Sequence, residues 1–293
     1  MRKHNYLNNK DILSEIHKSK TNFCSYTEDT HNQFDLIISL QGPHGTLEQG
    51  LAKINRNTIA EAKRNKAKRL QTRMFDERKA AGEKIKLAEC EHDPKKMKKD
   101  ELIFRVMTFD HIPEEPGRKK TPKTTADTKT KLNFPAFQHY KFNENDELVC
   151  VGKSHWVGGM ENGYFSKDHG KVTNKLAHMW IKLCERYATR GNVRGYTYND
   201  EMRGQAILQL TQIGLQFDES KSANPFAYYT AAVTNSFVRV INLEKRNQAI
   251  RDDILEMNDM TPSTLDRHHV SGKQIILRKN KKCLDNMAWY ILL

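Results

Sequence analysis

No stretch of this 293-residue chain is apolar for long enough to cross a bilayer, and its start, MRKHNYLNNK, lacks the apolar centre of a secretory signal. Neither a membrane protein nor an exported one is expected. Cysteine is sparse and scattered: Cys24, Cys90, Cys150, Cys184 and Cys283 make an odd set with no Cys-x-x-Cys. That pattern argues against a disulfide framework and for reduced thiols in a cytoplasm. Cys90 with His92 and Cys150 with His155 are soft-ligand pairs, but the paired spacing of a structural zinc site is missing. Gly158-Gly159 has no Lys-Ser or Lys-Thr behind it at phosphate-loop spacing. No metal, no cofactor and no enzymatic activity are expected. Hydrophobic residues are only 37% of the chain and mean hydropathy is −0.79, which predicts a modest core with long polar excursions.

What the chain has in excess is positive charge. Lys and Arg number 49 against 36 Asp and Glu, a net +13 with a pI near 9.4. A polyanion is the natural partner and nucleic acid the commonest one, although a ribosomal or membrane-surface protein would share this balance. The charge is densest at 63–73, KRNKAKRLQTR, inside a helical pattern over 51–91 that Gly82 interrupts. That run reads either as a face laid along DNA or as a solvated helix.

Residues 6–16 read as a short amphipathic helix with Leu7, Ile12, Leu13 and Ile16 on one side. The apolar run 34–40, closed by Gly42-Pro43, suits a strand or a helix end equally. Strands are expected at 101–109, 133–140 and 147–151, and the basic stretch 118–131 reads as a low-complexity loop. Residues 154–170, rich in Gly, His and aromatics, read as an ordered loop. Residues 172–189 form a clear amphipathic helix: Leu176, Met179, Trp180, Leu183 and Tyr187 face one way, with Thr173 placed to cap it.

Residues 199–251 organise the rest. Two helical patterns flank a polar break at 218–224, and Pro225 suits the first turn of the second. In the first, Met202, Ala206, Leu210, Ile213 and Phe217 make an apolar stripe. Beside it stand Glu201, Gln205, Gln209 and Gln212, which suit either a protein-docking surface or a solvated face. In the second, Phe226, Val233, Phe237, Val240 and Ile241 form the apolar side. Tyr228, Asn235, Arg239, Asn242 and Arg246 share one stripe at three-, four- and seven-residue spacing. Aromatic faces stack on unpaired bases, amides read base edges and guanidinium groups hold phosphates. Tyr228 and Tyr229 equally suit half-buried core positions.

The helix pair resembles region 2 of bacterial RNA polymerase sigma factors: a helix closed by Phe217-Asp218, a short turn, then a helix opening on Phe226, Tyr228 and Tyr229. The closer resemblance is to late-transcription sigma factors of tailed phages, the cyanophage branch above all. RYATRGNVRGYTYNDEMRGQA, FDESKSANPFAYYTAAVTNSF, HNYLNNKDIL and SHWVGGMENG carry it, over roughly two-thirds of the chain, as long and specific motifs. The resemblance implies that Glu201, Gly204, Gln205, Gln209 and Gln212 dock on the β′ coiled coil of the polymerase core. It implies that Tyr228 and Tyr229 serve strand opening and that Asn235, Val238 and Arg239 read the upstream part of a −10 element. Asn242, Lys245 and Arg246 would hold promoter phosphates. Ala231 and Ala232 stand where housekeeping sigma factors place two tryptophans.

The family also uses a C-terminal peptide to hold the phage sliding clamp beside a late co-activator. Leu284, Trp289 and Tyr290 of the apolar end LDNMAWYILL are the matching anchors, behind a flank (Lys279, Lys281, Lys282) that is basic where the family's is acidic. A tail packed on its own domain is the alternative. The expected fold is mainly α: a sigma region 2-like helical domain (171–260), an N-terminal helix (1–20) on it, an insertion (21–170) and a tail (261–293). The insertion would hold the basic helix, a linker and a small antiparallel sheet. The expected protein works in the cytoplasm of a bacterial host. A basic nucleic-acid-binding accessory protein of phage transcription is the alternative. A nuclease built from Asp110, His111, Glu114 and Glu115 is a weaker rival, because two-metal sites draw ligands from separate elements.

Overall fold

Three helices carry the pattern read in the second half of the chain. The computed structural model describes residues 7–40, 46–113 and 130–262. Its helices are α1 (Asn9–Thr21), α2 (Leu47–Ala52), α3 (Arg56–Ala80), α4 (Asn174–Ala188), α5 (Asn199–Ile213) and α6 (Pro225–Met257). Its strands are β1 (Cys24–Tyr26), β2 (Leu36–Ile38), β3 (Ile103–Val106), β4 (Gln138–Phe142), β5 (Leu148–Ser154), β6 (Trp156–Val157) and β7 (Tyr164–Phe165).

The apolar stripes of α4, α5 and α6 meet in one core with α1. Ile12 and Ile16 join Leu176, Trp180, Met202, Leu210, Val233 and Phe237 there. Thr173 caps α4 by accepting from the Leu176 N–H, and Asn224 caps α6 by accepting from Ala227, with Pro225 at the first turn. At Gly214, just past α5, an added Cβ would lie 2.2 Å from the Trp180 ring, so only glycine lets the backbone pass that close.

The expectation of a mainly α protein is corrected. About 51% of the described residues are helical and 11% are in strands, in a five-stranded mixed sheet ordered β1-β5-β4-β3-β2 and a two-stranded one, β6-β7. This is a mixed α/β fold. The larger sheet is not purely antiparallel either: β2 and β3 run parallel, and the chain between them passes through α2 and α3. A parallel pair needs such a long crossover, whereas the small antiparallel sheet expected for 21–170 needs none. The sheet also shares the main core, since Phe23, Phe134 and Phe137 pack in the same cluster as the helices.

The helical pattern over 51–91 resolves into α2 and α3. Asn55 and Thr58 form a capping box at the start of α3, and Gly82, at φ 88°, turns the chain just past its end. Several α3 cations are held within the fold. The Arg69 guanidinium lies 2.8 Å from the Asp35 carboxylate, and Lys66 donates to the Glu101 backbone oxygen at 2.8 Å. Arg64 and Lys68 stay exposed on the outer face.

A buried cation ties the sheet to the turn between α5 and α6. Arg105, at the centre of β3, is 1% exposed. Its guanidinium lies between the rings of Phe34 and Phe137, 3.9 Å from each centroid. It donates to Glu219 Oε2 at 2.9 Å and through Nε to His139 Nε2 at 3.0 Å, and it lies 3.2 Å from His17 Nδ1. Lys20, from the end of α1, donates to the Phe217 backbone oxygen at 2.8 Å and to Glu219 Oε1 at 3.3 Å. Burial works against ionisation of Glu219, but Lys20 and Arg105 outweigh it and hold the carboxyl below its ordinary range. The opposite holds for His139: burial, reinforced by Arg105, keeps the imidazole neutral, with its Nδ1–H donating to the His31 backbone oxygen at 2.7 Å.

Candidate protein- and nucleic-acid-binding groove

Helices α5 and α6 leave a groove of about 550 Å³ between their outer faces. Glu201, Gln205, Gln209 and Gln212 line one wall; Arg239, Asn242 and Arg246 line the other. Two rows read separately from the sequence, one for a protein and one for DNA, thus face each other across a single trough. The helical periods explain this. On α5 the row stands at 201, 205, 209 and 212, away from buried Met202, Ala206 and Leu210; on α6 it stands away from buried Val233, Phe237 and Val240.

Two residues of this surface fell outside the sequence reading. Leu208 is 55% exposed and Leu243 is 51% exposed, and both line the groove. Their spacing was the available signal, because Leu208 stands seven residues after Glu201 and Leu243 four after Arg239. An exposed leucine on each wall gives the trough an apolar floor with amide and charged rims, the composition of a docking surface. Gly204 sits on α5 beside this row. Nothing lies within 4 Å of where its Cβ would be, so no contact inside the described residues requires glycine there.

The remaining residues of the stripe separate. Asn235 is exposed like Arg239, Asn242 and Arg246, whereas Val238 and Lys245 are half-buried. Tyr229 stands in the core at 1% exposure, its ring edge-on to Trp180 and its hydroxyl donating to the Gly214 backbone oxygen at 2.8 Å. Of the two readings of Tyr229, the ring takes the core position, not one open to unpaired bases: a seat against Trp180 buries it, and the Gly214 carbonyl past the end of α5 accepts from its hydroxyl. Tyr228 is half-buried. Its hydroxyl donates to the Ile213 backbone oxygen at 3.0 Å, and its ring lies 5.6 Å from that of Phe217. Burial pushes both phenols above their ordinary range, which keeps them hydrogen-bond donors. Phe226 keeps part of its ring open to solvent.

His111 of the rival nuclease cluster is engaged in the sheet, its Nε2 2.9 Å from the Ser154 backbone oxygen and its Nδ1 2.9 Å from the Gln138 amide nitrogen. Glu114 and Glu115 lie outside the described residues, as do Leu284, Trp289 and Tyr290 of the expected clamp contact. His155 is buried against Phe134, with ring centroids 4.1 Å apart, and burial lowers its pKa to about 3. Among the described residues no three His, Cys, Asp or Glu side chains are placed to hold a metal ion, and no helix is long and apolar enough to cross a membrane. Comparison with protein-family models, with curated proteins and with solved structures finds no match for this chain.

Proposed function

We propose that this chain is a sigma factor of a tailed phage: it binds the bacterial host's RNA polymerase core and directs initiation at late promoters by recognising an AT-rich −10 element and helping to melt it. The observation that carries the reading is the groove, where a glutamine-rich wall of α5 faces an arginine–asparagine wall of α6 across exposed Leu208 and Leu243. The α5 wall suits a helical protein partner such as the β′ coiled coil. Exposed Asn235, Arg239, Asn242 and Arg246 suit base edges and phosphates on the neighbouring face. Phe226 and Tyr228 are then the aromatic groups left for unpaired bases, with Tyr229 holding the turn beneath them.

Run-off transcription with core enzyme tests this. On a template carrying an AT-rich −10 element, core plus this protein starts at one site. Leu208→Arg abolishes that start together with co-purification of core. Asn235→Ala and Arg239→Ala keep core binding and each lose promoter selection by about 10- to 100-fold, the scale of a lost base contact of about 1–3 kcal/mol. Duplex binding without core, unaffected by Leu208→Arg and with no defined start, would make the chain an accessory nucleic-acid-binding protein instead.

Gly204 supplies a separate check. With open space around it, Gly204→Ala stabilises α5 by about 0.5–1 kcal/mol in thermal unfolding. Gly204→Leu, which places bulk on the docking wall, weakens core binding about tenfold or more, a loss of about 1.4 kcal/mol.

A further inference from the structure

The groove does not end the exposed apolar surface of α6. Beyond Val240 the only buried side chain on this helix is Asp252. Over the same length Leu243, Ile250, Ile254 and Met257 are each close to half exposed or more, Met257 at 84%. Spaced seven, four and three residues apart, they fall on one side of the helix and form a stripe that begins at the groove and runs to the helix end. At 1.5 Å per residue, the stripe spans about 21 Å. Asp253, Glu256 and Asp259 are exposed near its far end, and none of them is ion-paired to a described residue.

We propose that the chain's own C-terminal segment, residues 284–293, covers this stripe. The sequence places that apolar segment, LDNMAWYILL, beyond the last described residue, Pro262, which lies five residues past the end of α6. The 21 residues between Pro262 and Leu284 would, at the dimensions of a flexible linker, span about 25 Å, close to the length of the stripe. A tether whose mean length matches the span gives the highest effective concentration of the tethered group. The charges agree as well: Arg278, Lys279, Lys281 and Lys282 immediately precede the segment, and the unpaired acids stand beside the stripe. Leu284, Trp289 and Tyr290 supply large side chains for a surface of leucine, isoleucine and methionine.

This inference does not depend on the sigma reading, and its test needs no polymerase. Hydrogen–deuterium exchange is measured on the full chain, on a chain ending at Cys283, and on the full chain carrying Ile250→Gln with Ile254→Gln. Both isoleucines are exposed and glutamine is a good helix former, so the variant folds. In the full chain, amides of 284–293 exchange at least tenfold more slowly than in the double variant. Amides of 243–257 are correspondingly slower than in the truncated chain. Light scattering gives a monomer throughout. Equal exchange in all three proteins overturns the proposal. Protection that grows with protein concentration and comes with a dimer mass assigns the stripe to a second copy. Free exchange of 284–293 in the isolated chain that is suppressed only by added sliding clamp assigns the segment to the clamp.

Discussion

Arg105→Met will destabilise the folded protein by about 3–5 kcal/mol, the cost of leaving one partner of a buried ion pair uncompensated. The substitution keeps an unbranched side chain between the Phe34 and Phe137 rings but removes the guanidinium and all its donors. Glu219 would then rely on Lys20 alone, and His139 Nε2 would lose its donor. Glu219→Gln in the same chain should recover part of the loss, because a neutral amide needs no guanidinium beside it. Urea unfolding followed by circular dichroism on the two single variants and the double variant gives the coupling directly. A loss below about 1 kcal/mol in Arg105→Met would mean that the pair is no better than a surface bridge, whose worth is typically about 0–1 kcal/mol.

Acid will unfold the protein steeply, beginning well above the range where ordinary carboxylates titrate. His139 and His155 are fully buried and His17 sits half-buried beside Arg105; burial lowers all three pKa values, those of His17 and His155 to about 3. In the unfolded chain each takes up a proton near pH 6.5. A group whose folded pKa is depressed contributes stability that is fully present above its unfolded pKa and lost as pH falls toward the folded one. Each imidazole therefore costs about 1.4 kcal/mol per pH unit below about pH 6, or about 4 for the three together. Glu219 adds to the loss lower down, because its depressed carboxyl must be protonated as the pH falls below its unfolded value of about 4.3. Urea midpoints measured from pH 7.5 to pH 4.5 should be flat at the top and fall from about pH 6 downward. His155→Gln should remove about a third of the slope between pH 6 and pH 5. A profile without curvature over that interval would contradict neutral buried imidazoles.

The helices were legible because their signals are local. The amphipathic period of α4, Thr173 at its start, and Pro225 opening α6 can each be read within a single turn, and the described elements fall at those places. The sheet was legible in part: the strands expected at 101–109, 133–140 and 147–151 overlap β3, β4 and β5, but β1 went unread, β2 stayed open between strand and helix end, and the parallel pairing was missed. Its strands are short: β1 and β2 are three residues each, below the length at which alternation can be distinguished from chance. Every residue of β3 is buried, so its apolar run marked it as a strand without telling which face meets the helices. Arg105 went unread, because an arginine in an apolar run carries no local mark of burial, and the rings and acceptors that enclose it come from distant segments. The groove was half legible. Both rows of polar residues were visible in the helical period, but their confrontation across one trough depends on how α5 packs on α6. Tyr229 shows the same limit, because exposure at the start of a helix is decided by what packs there, and Trp180 comes from another helix.

The tie from Arg105 and Lys20 to the loop that carries Glu219 bears on how this protein can be cut down for study. Residues from the first fifth of the chain, the central strands and the helix pair complete one another's ionic and aromatic neighbourhood. A fragment beginning at α4, chosen because it holds the whole candidate interface, would strand Glu219 without Arg105 or Lys20 and strip Ile12, Ile16, Phe23, Phe134 and Phe137 from the core that Leu176 and Trp180 share with them. The interface is portable on paper only: its smallest workable carrier runs from α1 through α6.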